Sequence, residues 1–182
     1  MNVFAIVGSI REKSFNMHLA KWIQERYRDT IHLEIADLKS IPLFNQDEEL
    51  DPPQAVKTFK EKVKKADAIM IVTPEYNWSM PGVLKNALDW ASRVDKVFIG
   101  KKIMLLGASM SNAGTLRSQL HLRQVFTSPG IQAVLLPPAT NEVAITLAHQ
   151  KIDEETGEIT DQDTIDFLDR RIESFVEFVR GS

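Results

Sequence analysis

The chain of 182 residues carries 22 Lys and Arg against 25 Asp and Glu, a net charge of −3, and it contains no cysteine. A chain of this length buries about 70% of its unfolded surface around one core, so residues 1–182 are predicted to form a single domain. The charge balance argues against nucleic acid and anionic lipid as partners, and the lack of cysteine excludes thiol catalysis, disulfides and Cys-ligated zinc. Neither a signal-peptide pattern nor an apolar run of about 18 residues is present, so we expect a cytoplasmic protein that does not enter membranes.

Short apolar runs alternate with helical patterns along the chain. The runs are continuously apolar, which is typical of strands buried on both faces of a parallel sheet. The segments between them space apolar residues by threes and fours, which indicates amphipathic helices. This alternation predicts an α/β domain, with a doubly wound five-stranded parallel sheet and helices on both faces. The predicted strands are 3–7, 31–36, 68–73, 102–109 and 131–137, and the clearest helical patterns span 15–23, 84–91 and 165–179. For the last helix, Thr160 and Asp163 are predicted to form a capping arrangement.

The end of the first strand is unusually polar. Ser9, Arg11, Ser14 and Asn16 lie between this strand and the first helix, whose free N–H groups and positive dipole end favour an anion. Ligands of open α/β sheets bind beyond the carboxyl ends of the strands. The hydroxyl, amide and guanidinium groups therefore predict a phosphate cradle. The alternative, in which Ser14 only caps the helix and Arg11 is solvated, accounts for one serine but not for the cluster.

Two further strand ends carry candidate binding residues. After the third strand, Tyr76 and Asn77 lie in a Pro-Glu-Tyr-Asn turn, where an aromatic ring and free backbone donors suit a planar heterocycle. The alternative is that Tyr76 and Trp78 merely pack and Asn77 merely turns. After the fourth strand, the small residues of 107–114 would let a ring approach the backbone.

These segments together resemble one family. Two motifs resemble those of the NADPH-dependent FMN reductases: Gly-Ser-Ile-Arg-x-x-Ser-x-Asn at 8–16 and Pro-Glu-Tyr-Asn-x-Ser-x-Pro-Gly-x-Leu-Lys-Asn-Ala-Leu-Asp-Trp at 74–90. The segments 116–126 and 153–164 also resemble that family. That family contains flavin, quinone, chromate and azo reductases with a flavodoxin-like fold. The resemblance implies FMN as the cofactor, NADPH or NADH as the reductant, and a small-molecule electron acceptor. It places Ser9, Arg11, Ser14, Phe15 and Asn16 around the FMN phosphate, Pro74, Glu75, Tyr76 and Asn77 along the isoalloxazine, and Ser109 near the ring.

Trp90, in the helix 82–93, is expected in the core or at a subunit interface; the resemblance favours the interface and implies a homodimer or homotetramer. The third loop departs from the family pattern at Ser111, Asn112 and Thr115, so the acceptor stays open among quinones, flavins, azo compounds and metal oxyanions.

The expected chemistry is hydride transfer from NAD(P)H to FMN and then to the acceptor by a ping-pong mechanism. It requires no catalytic acid–base pair, and backbone N–H groups near Asn77 and Ser109 are expected to stabilise charge on the reduced ring. A dinucleotide-binding dehydrogenase is disfavoured because its Gly-x-Gly-x-x-Gly pattern is replaced by Gly-Ser-Ile-Arg-Glu-Lys. A non-enzymatic flavodoxin electron carrier remains the alternative, although such carriers usually have strongly acidic surfaces. No metal site is predicted, because the four histidines lack ligand spacing, and the acidic runs 47–49 and 153–155 are interpreted as solvated charge.

Overall fold

A computed structural model describes residues 1–139 and 141–181. Within these residues, strands and helices alternate, except that the last two strands follow one another directly. No described helix is long and apolar enough to cross a membrane. The strands are β1 (Asn2–Val7), β2 (His32–Ile35), β3 (Ala68–Val72), β4 (Lys102–Ala108), β5 (Val134–Leu135) and β6 (Val143–Ile145). The helices are α1 (Phe15–Arg26), α2 (Gln54–Lys65), α3 (Gly82–Ala91), α4 (Leu116–Phe126) and α5 (Gln162–Arg180), with short 3₁₀ turns at Gln46–Glu48 and Ala148–Gln150.

All the strand pairs are parallel, in the order β2-β1-β3-β4-β5, and β6 also pairs with β4. The chain runs outward from β1 to β2 and then returns past β1 to β3, so the strand order reverses between β1 and β3. In open α/β sheets this switch point leaves a crevice beyond the carboxyl ends of the strands. The predicted doubly wound α/β class is confirmed, and the loops after β1 and β3 meet at the switch point.

The fifth position of the sheet differs from the prediction. The run 131–137 was expected to form one strand, but only Val134–Leu135 does so, against the first half of β4. Pro137 and Pro138 lack the N–H groups that a strand needs, and the chain leaves the sheet there. It returns as β6, which pairs with the last residues of β4 from Leu106 to Ala108. Two short strands therefore occupy the place of the single strand predicted.

The core forms two layers, one on each face of the sheet. In β1, Val3, Ala5 and Val7 pack on the side of α1 and α5, whereas Phe4 and Ile6 pack on the side of α2, α3 and α4. The same alternation holds in β3, and both strands are almost wholly buried. Because both faces are covered, these strands can be continuously apolar, which agrees with the prediction from the sequence.

The start of α5 corrects the predicted cap. Asp161, not Thr160, is the N-cap residue, and its carboxylate accepts a hydrogen bond of 2.9 Å from the N–H of Thr164. Asp161 has the extended backbone of an N-cap (φ −90°, ψ 109°), so its side chain reaches the third residue of the helix. Asp163 lies inside the first turn, where its charge suits the helix dipole.

Candidate functional site

The loops after β1, β3 and β4 enclose a cleft of about 520 Å³ at the switch point. This volume lies within the range of small-molecule sites. Among the residues that the structure describes, Asn77 is the one predicted site residue that does not line the cleft. The lining comprises the predicted Ser9, Arg11, Ser14, Phe15, Asn16, Pro74, Glu75, Tyr76 and Ser109, together with Ala108, Met110 and Ser111.

The N-terminus of α1 forms one wall of the cleft. Ser14 is the N-cap residue, and its hydroxyl accepts a hydrogen bond of 3.3 Å from the N–H of Met17. The capping alternative for Ser14 is therefore correct in geometry. The first turn of α1 contains no acidic residue, so no carboxylate of the helix itself offsets its positive dipole end at the cleft. Since Ser14, Phe15 and Asn16 all line the cleft, an anion there would meet the open end of a helix.

The side chain of Asn16 ties two of the loops together. Its Nδ2 donates to the carbonyl of Ala108 and its Oδ1 accepts from the N–H of Ala108, both at 2.9 Å. The residue is 3% exposed. Asn16 thus pairs with the end of β4 much as a neighbouring strand would, and it fixes the distance between the first and third loops. The sequence pattern predicts the Asn16 amide in a phosphate cradle and contains no signal for this contact.

The loop after β3 forms a tight hairpin turn. Tyr76 and Ser79 exchange two backbone hydrogen bonds of 3.0 Å, and the two residues between them have φ of 51° (Asn77) and 63° (Trp78). Both values lie in the left-handed region, as a type I′ turn requires, and Asn tolerates this region better than Trp. Tyr76 is 50% exposed at the cleft and Trp78 is 70% exposed. Neither aromatic side chain is therefore packed into the core of this chain, whereas Asn77 does form the turn.

The carboxylate of Glu75 caps α4. Its Oε2 accepts hydrogen bonds from the N–H groups of Arg117 (2.8 Å) and Ser118 (3.2 Å), and its Oε1 lies 3.4 Å from the Arg117 guanidinium. The Glu75 side chain is only 9% exposed. Thr115, which precedes the helix, uses its hydroxyl to accept from Gln119 instead. Glu75 therefore lines the cleft while its charge stabilises the neighbouring helix.

The third loop depends on a glycine within β4. A Cβ at Gly107 would lie 2.0 Å from the carbonyl oxygen of Thr73 and 2.6 Å from the hydroxyl of Thr115, so only glycine lets the ends of β3 and β4 approach this closely. In the loop itself, the Ser109 hydroxyl accepts from the N–H of Ser111 at 3.1 Å. The N–H of Ser109 donates to the Ile145 carbonyl at 2.9 Å. It is therefore engaged within the sheet, so stabilisation of a reduced ring near Ser109 would have to come from a neighbouring N–H group.

Comparison with known proteins identifies the family. The family model for NADPH-dependent FMN reductases matches residues 1–150. The chain belongs to the NADPH-dependent FMN reductase family. The NADH-dependent flavin reductase subunit 2 of Lactobacillus johnsonii is 36% identical and aligns over 98% of this chain and 97% of its own. The quinone reductase of Escherichia coli K12 is 34% identical, with 99% and 96% covered.

The solved structures agree with this assignment. The flavoenzyme FerB of Paracoccus denitrificans, an NAD(P)H:(acceptor) oxidoreductase, superposes with a TM-score of 0.88 at 28% identity and covers 99% of this chain and 97% of its own. The predicted flavodoxin-like fold is confirmed. As a member of the FMN reductase family the protein is an NAD(P)H-dependent oxidoreductase with FMN as its cofactor and a small molecule as its electron acceptor.

The chemistry of the cleft fits that cofactor. The first loop provides the hydroxyls of Ser9 and Ser14, the N-terminus of α1 and the guanidinium of Arg11, which together suit a phosphate. The second and third loops provide the ring of Tyr76 and the side chain of Met110, which suit a flat aromatic group. An FMN reductase needs both kinds of surface within one cleft, and these loops bring them together.

An acidic hairpin, residues 152–160, lies against the N-terminus of α1. Its ends are joined by an antiparallel bridge between Ile152 and Ile159. Glu154 forms an ion pair with Arg11, with 3.2 Å between Oε1 and Nη2, and Glu155 pairs with Lys13. The hydrogen bond from Lys13 to Glu155 raises the pKa of Lys13. The interpretation of the acidic run 153–155 as solvated charge agrees with the exposure of all three residues, and the structure adds that Glu154 and Glu155 are also paired.

Trp90 is a core residue of this chain. It is 1% exposed, its Nε1 donates to the carbonyl of Pro42 at 2.9 Å, and its ring meets that of Phe44 edge-on with 5.0 Å between centroids. The prediction that Trp90 lies at a subunit interface is wrong, because its side chain packs inward beneath the loop that follows β2.

Proposed function

We propose that the cleft binds FMN with its phosphate at the N-terminus of α1 and its isoalloxazine between the loops after β3 and β4. The observation that carries this proposal is that one cleft at the switch point gathers nearly all of the residues predicted from two separate sequence motifs. The phosphate contacts are assigned to Ser9, Arg11, Ser14, Phe15 and Asn16, and the ring contacts to Pro74, Glu75, Tyr76, Asn77 and Ser109. Asn77 lies at the tip of the hairpin turn and does not line the cleft, so its proposed contact with the ring would be made from the tip of that turn.

We further propose that the protein reduces quinones by a ping-pong mechanism, with free flavins, azo compounds and metal oxyanions as the other acceptor classes. FMN supplies the capacity to take up a hydride and to pass the electrons on. The residues of the chain bind the cofactor, orient it, and leave space for a second planar molecule beside Tyr76. A nicotinamide and a quinone are both flat, so one surface can serve each in turn at a hydride distance of about 3 to 3.5 Å. The quinone reductase relative supports this choice of acceptor.

The assembly is proposed to be a homodimer or homotetramer located in the cytoplasm. Support for a subunit contact comes from exposed apolar side chains beside the cleft: Tyr76 (50%), Trp78 (70%), Leu116 (42%) and Leu120 (51%). The Arg117 guanidinium lies 4.6 Å from the Trp78 ring, so α4 and the hairpin turn form a continuous surface. An exposed apolar area of this kind is typical of a protein contact.

Substitutions in the first and second loops test the proposal, because the first should lower FMN affinity and the second should lower turnover. Arg11→Ala should weaken FMN binding by about 1.5 to 3 kcal/mol, the worth of a hydrogen bond to a charged group, and saturating FMN should restore turnover. Tyr76→Ala should lower turnover even with FMN saturating, because nicotinamide and acceptor lose a stacking surface. The measurements are FMN affinity by fluorescence quenching and NADPH-dependent quinone reduction at saturating FMN.

Arg28→Ala is the matched control, since Arg28 is an exposed arginine that pairs with Glu25 away from the cleft. It should match the parent in both measurements. The proposal is refuted if Arg11→Ala stays slow with FMN saturating while Tyr76→Ala turns over normally.

A further inference from the structure

The acidic hairpin holds one carboxylate beside the cation of the proposed phosphate site. Arg11 lines the cleft, its guanidinium lies 5.6 Å from the centre of the Phe15 ring, and its Nη2 pairs with Oε1 of Glu154 at 3.2 Å. The two side chains are 51% and 47% exposed. The only other cation this hairpin pairs with in the described chain is Lys13, which contacts Glu155 and does not line the cleft.

The backbone of the acidic hairpin is held firmly. The Asp153 carboxylate accepts from the N–H groups of Glu155 (2.9 Å) and Thr156 (2.7 Å), and these bonds, those from Thr156 foremost, lower the pKa of Asp153. Gly157 has a φ of +79° and donates its N–H to the Asp153 carbonyl at 2.9 Å. Ile152 and Ile159, at its two ends, are buried in the core. The hairpin is therefore a fixed structure and not a flexible charged loop.

The hairpin is also docked on α1. The His18 ring Nε2 lies 3.0 Å from the Glu154 carbonyl oxygen, and a Cβ at Gly157 would lie 2.5 Å from the ring Nδ1. His18 is one turn after the N-cap Ser14. The contact places the backbone of Glu154 at the helix end, where its carboxylate reaches Arg11.

We propose that Glu154 acts as an intramolecular competitor of the phosphate: it occupies Arg11 in the flavin-free protein and thereby sets the affinity for FMN. This inference rests on the function proposed above. A phosphate monoester carries a charge of about −1.5 to −2 at pH 7, whereas the carboxylate carries −1. The phosphate can therefore displace Glu154 from Arg11. The loss of the ion pair between Arg11 and Glu154 reduces the net free energy of FMN binding. Glu154 is then an affinity-determining residue that does not need to touch the flavin.

The test is the dissociation constant of FMN, measured by fluorescence quenching at low ionic strength. Glu154→Gln should bind FMN about two- to fivefold more tightly than the parent, the range that corresponds to an exposed ion pair. Glu155→Gln is the matched control. It removes one negative charge from the same hairpin, but the cation that it releases is Lys13, which does not line the cleft. The FMN affinity of this variant should equal that of the parent. At about 0.5 M salt the gain of Glu154→Gln should shrink, since exposed pairs are screened.

A double-mutant cycle separates release of Arg11 from simple removal of negative charge. In an Arg11→Ala background, Glu154→Gln should change FMN affinity by less than about 1.5-fold, because there is no guanidinium left to release. The proposal is overturned if the gain persists in that background, if Glu155→Gln produces the same gain, or if Glu154→Gln leaves affinity unchanged or lowers it.

Riboflavin distinguishes this failure from failure of the proposed function. Riboflavin lacks the phosphate, so the parent should bind it more weakly than FMN, and Glu154→Gln should not improve its binding. Equal affinity of the parent for the two flavins would refute the phosphate assignment itself. A preference for FMN without any effect of Glu154→Gln would leave that assignment standing and refute only the competition.

Discussion

Replacement of Glu75 by alanine tests whether its carboxylate supports the helix or serves the ligand. In the structure this carboxylate accepts from two N–H groups at the start of α4, Arg117 at 2.8 Å and Ser118 at 3.2 Å. Removal leaves two donors at a helix end without their charged acceptor. Loss of an N-cap costs about 0.5 to 2 kcal/mol, and a hydrogen bond to a charged group is worth about 1.5 to 3 kcal/mol.

The expected loss of unfolding free energy for Glu75→Ala is therefore about 2 kcal/mol. The side chain is only 9% exposed, so solvent screens the interaction little. In a domain of this size such a loss lowers the melting temperature by about 4 to 8 °C. Glu75→Gln keeps an oxygen acceptor but loses the charge, and it should fall between alanine and the parent. Thermal and urea unfolding, followed by circular dichroism, measure both variants.

Glu25→Ala is the control, because Glu25 is 74% exposed and its only ion pair in the described part of the chain is with Arg28 within the same segment. Its stability should differ from that of the parent by less than about 0.5 kcal/mol. A finding that Glu75→Ala is as stable as Glu25→Ala but binds FMN weakly would show that the carboxylate acts on the ligand, and the helix-cap argument would fail.

Two further predictions concern packing and assembly. Gly107→Ala should give little folded protein, because its Cβ would lie 2.0 Å from the Thr73 carbonyl oxygen. Gly82→Ala, which has open space around its Cβ at the start of α3, should instead raise the free energy of unfolding by up to about 1 kcal/mol. Soluble yield and melting temperature compare the two variants, and equal behaviour would contradict the close approach of β3 and β4 at Gly107. Analytical ultracentrifugation at micromolar concentration should show a dimer or tetramer, and Trp78→Asp should weaken it; a monomeric parent would refute the proposed assembly.

The sequence was most informative where local chemistry determines structure. The continuous apolar runs predicted the buried strands, and the polar stretch after β1 predicted residues that do line the cleft. The long-range contacts left no local signal. Asn16 meets Ala108 across 92 residues, and Glu75 meets Arg117 across 42. Each is a polar residue of a kind common in loops, and only the packing of the sheet decides its partner. The apolar run 131–137 predicts a full fifth strand, but Pro137 and Pro138 cannot donate to a sheet, so the strand is shorter than its apolar run.

These long-range contacts also explain where ligand affinity can be adjusted. Asn16 binds the third loop to α1, Glu75 binds the second loop to α4, and the absence of a side chain at Gly107 lets β3 and β4 close together. Most of the cleft is therefore fixed before a ligand arrives, and a fixed site loses little conformational entropy on binding. Arg11 differs, because its half-exposed guanidinium is held by the half-exposed side-chain carboxylate of Glu154 and not by the backbone. Substitution of Glu154 is thus expected to change the affinity for FMN without changing the shape of the cleft.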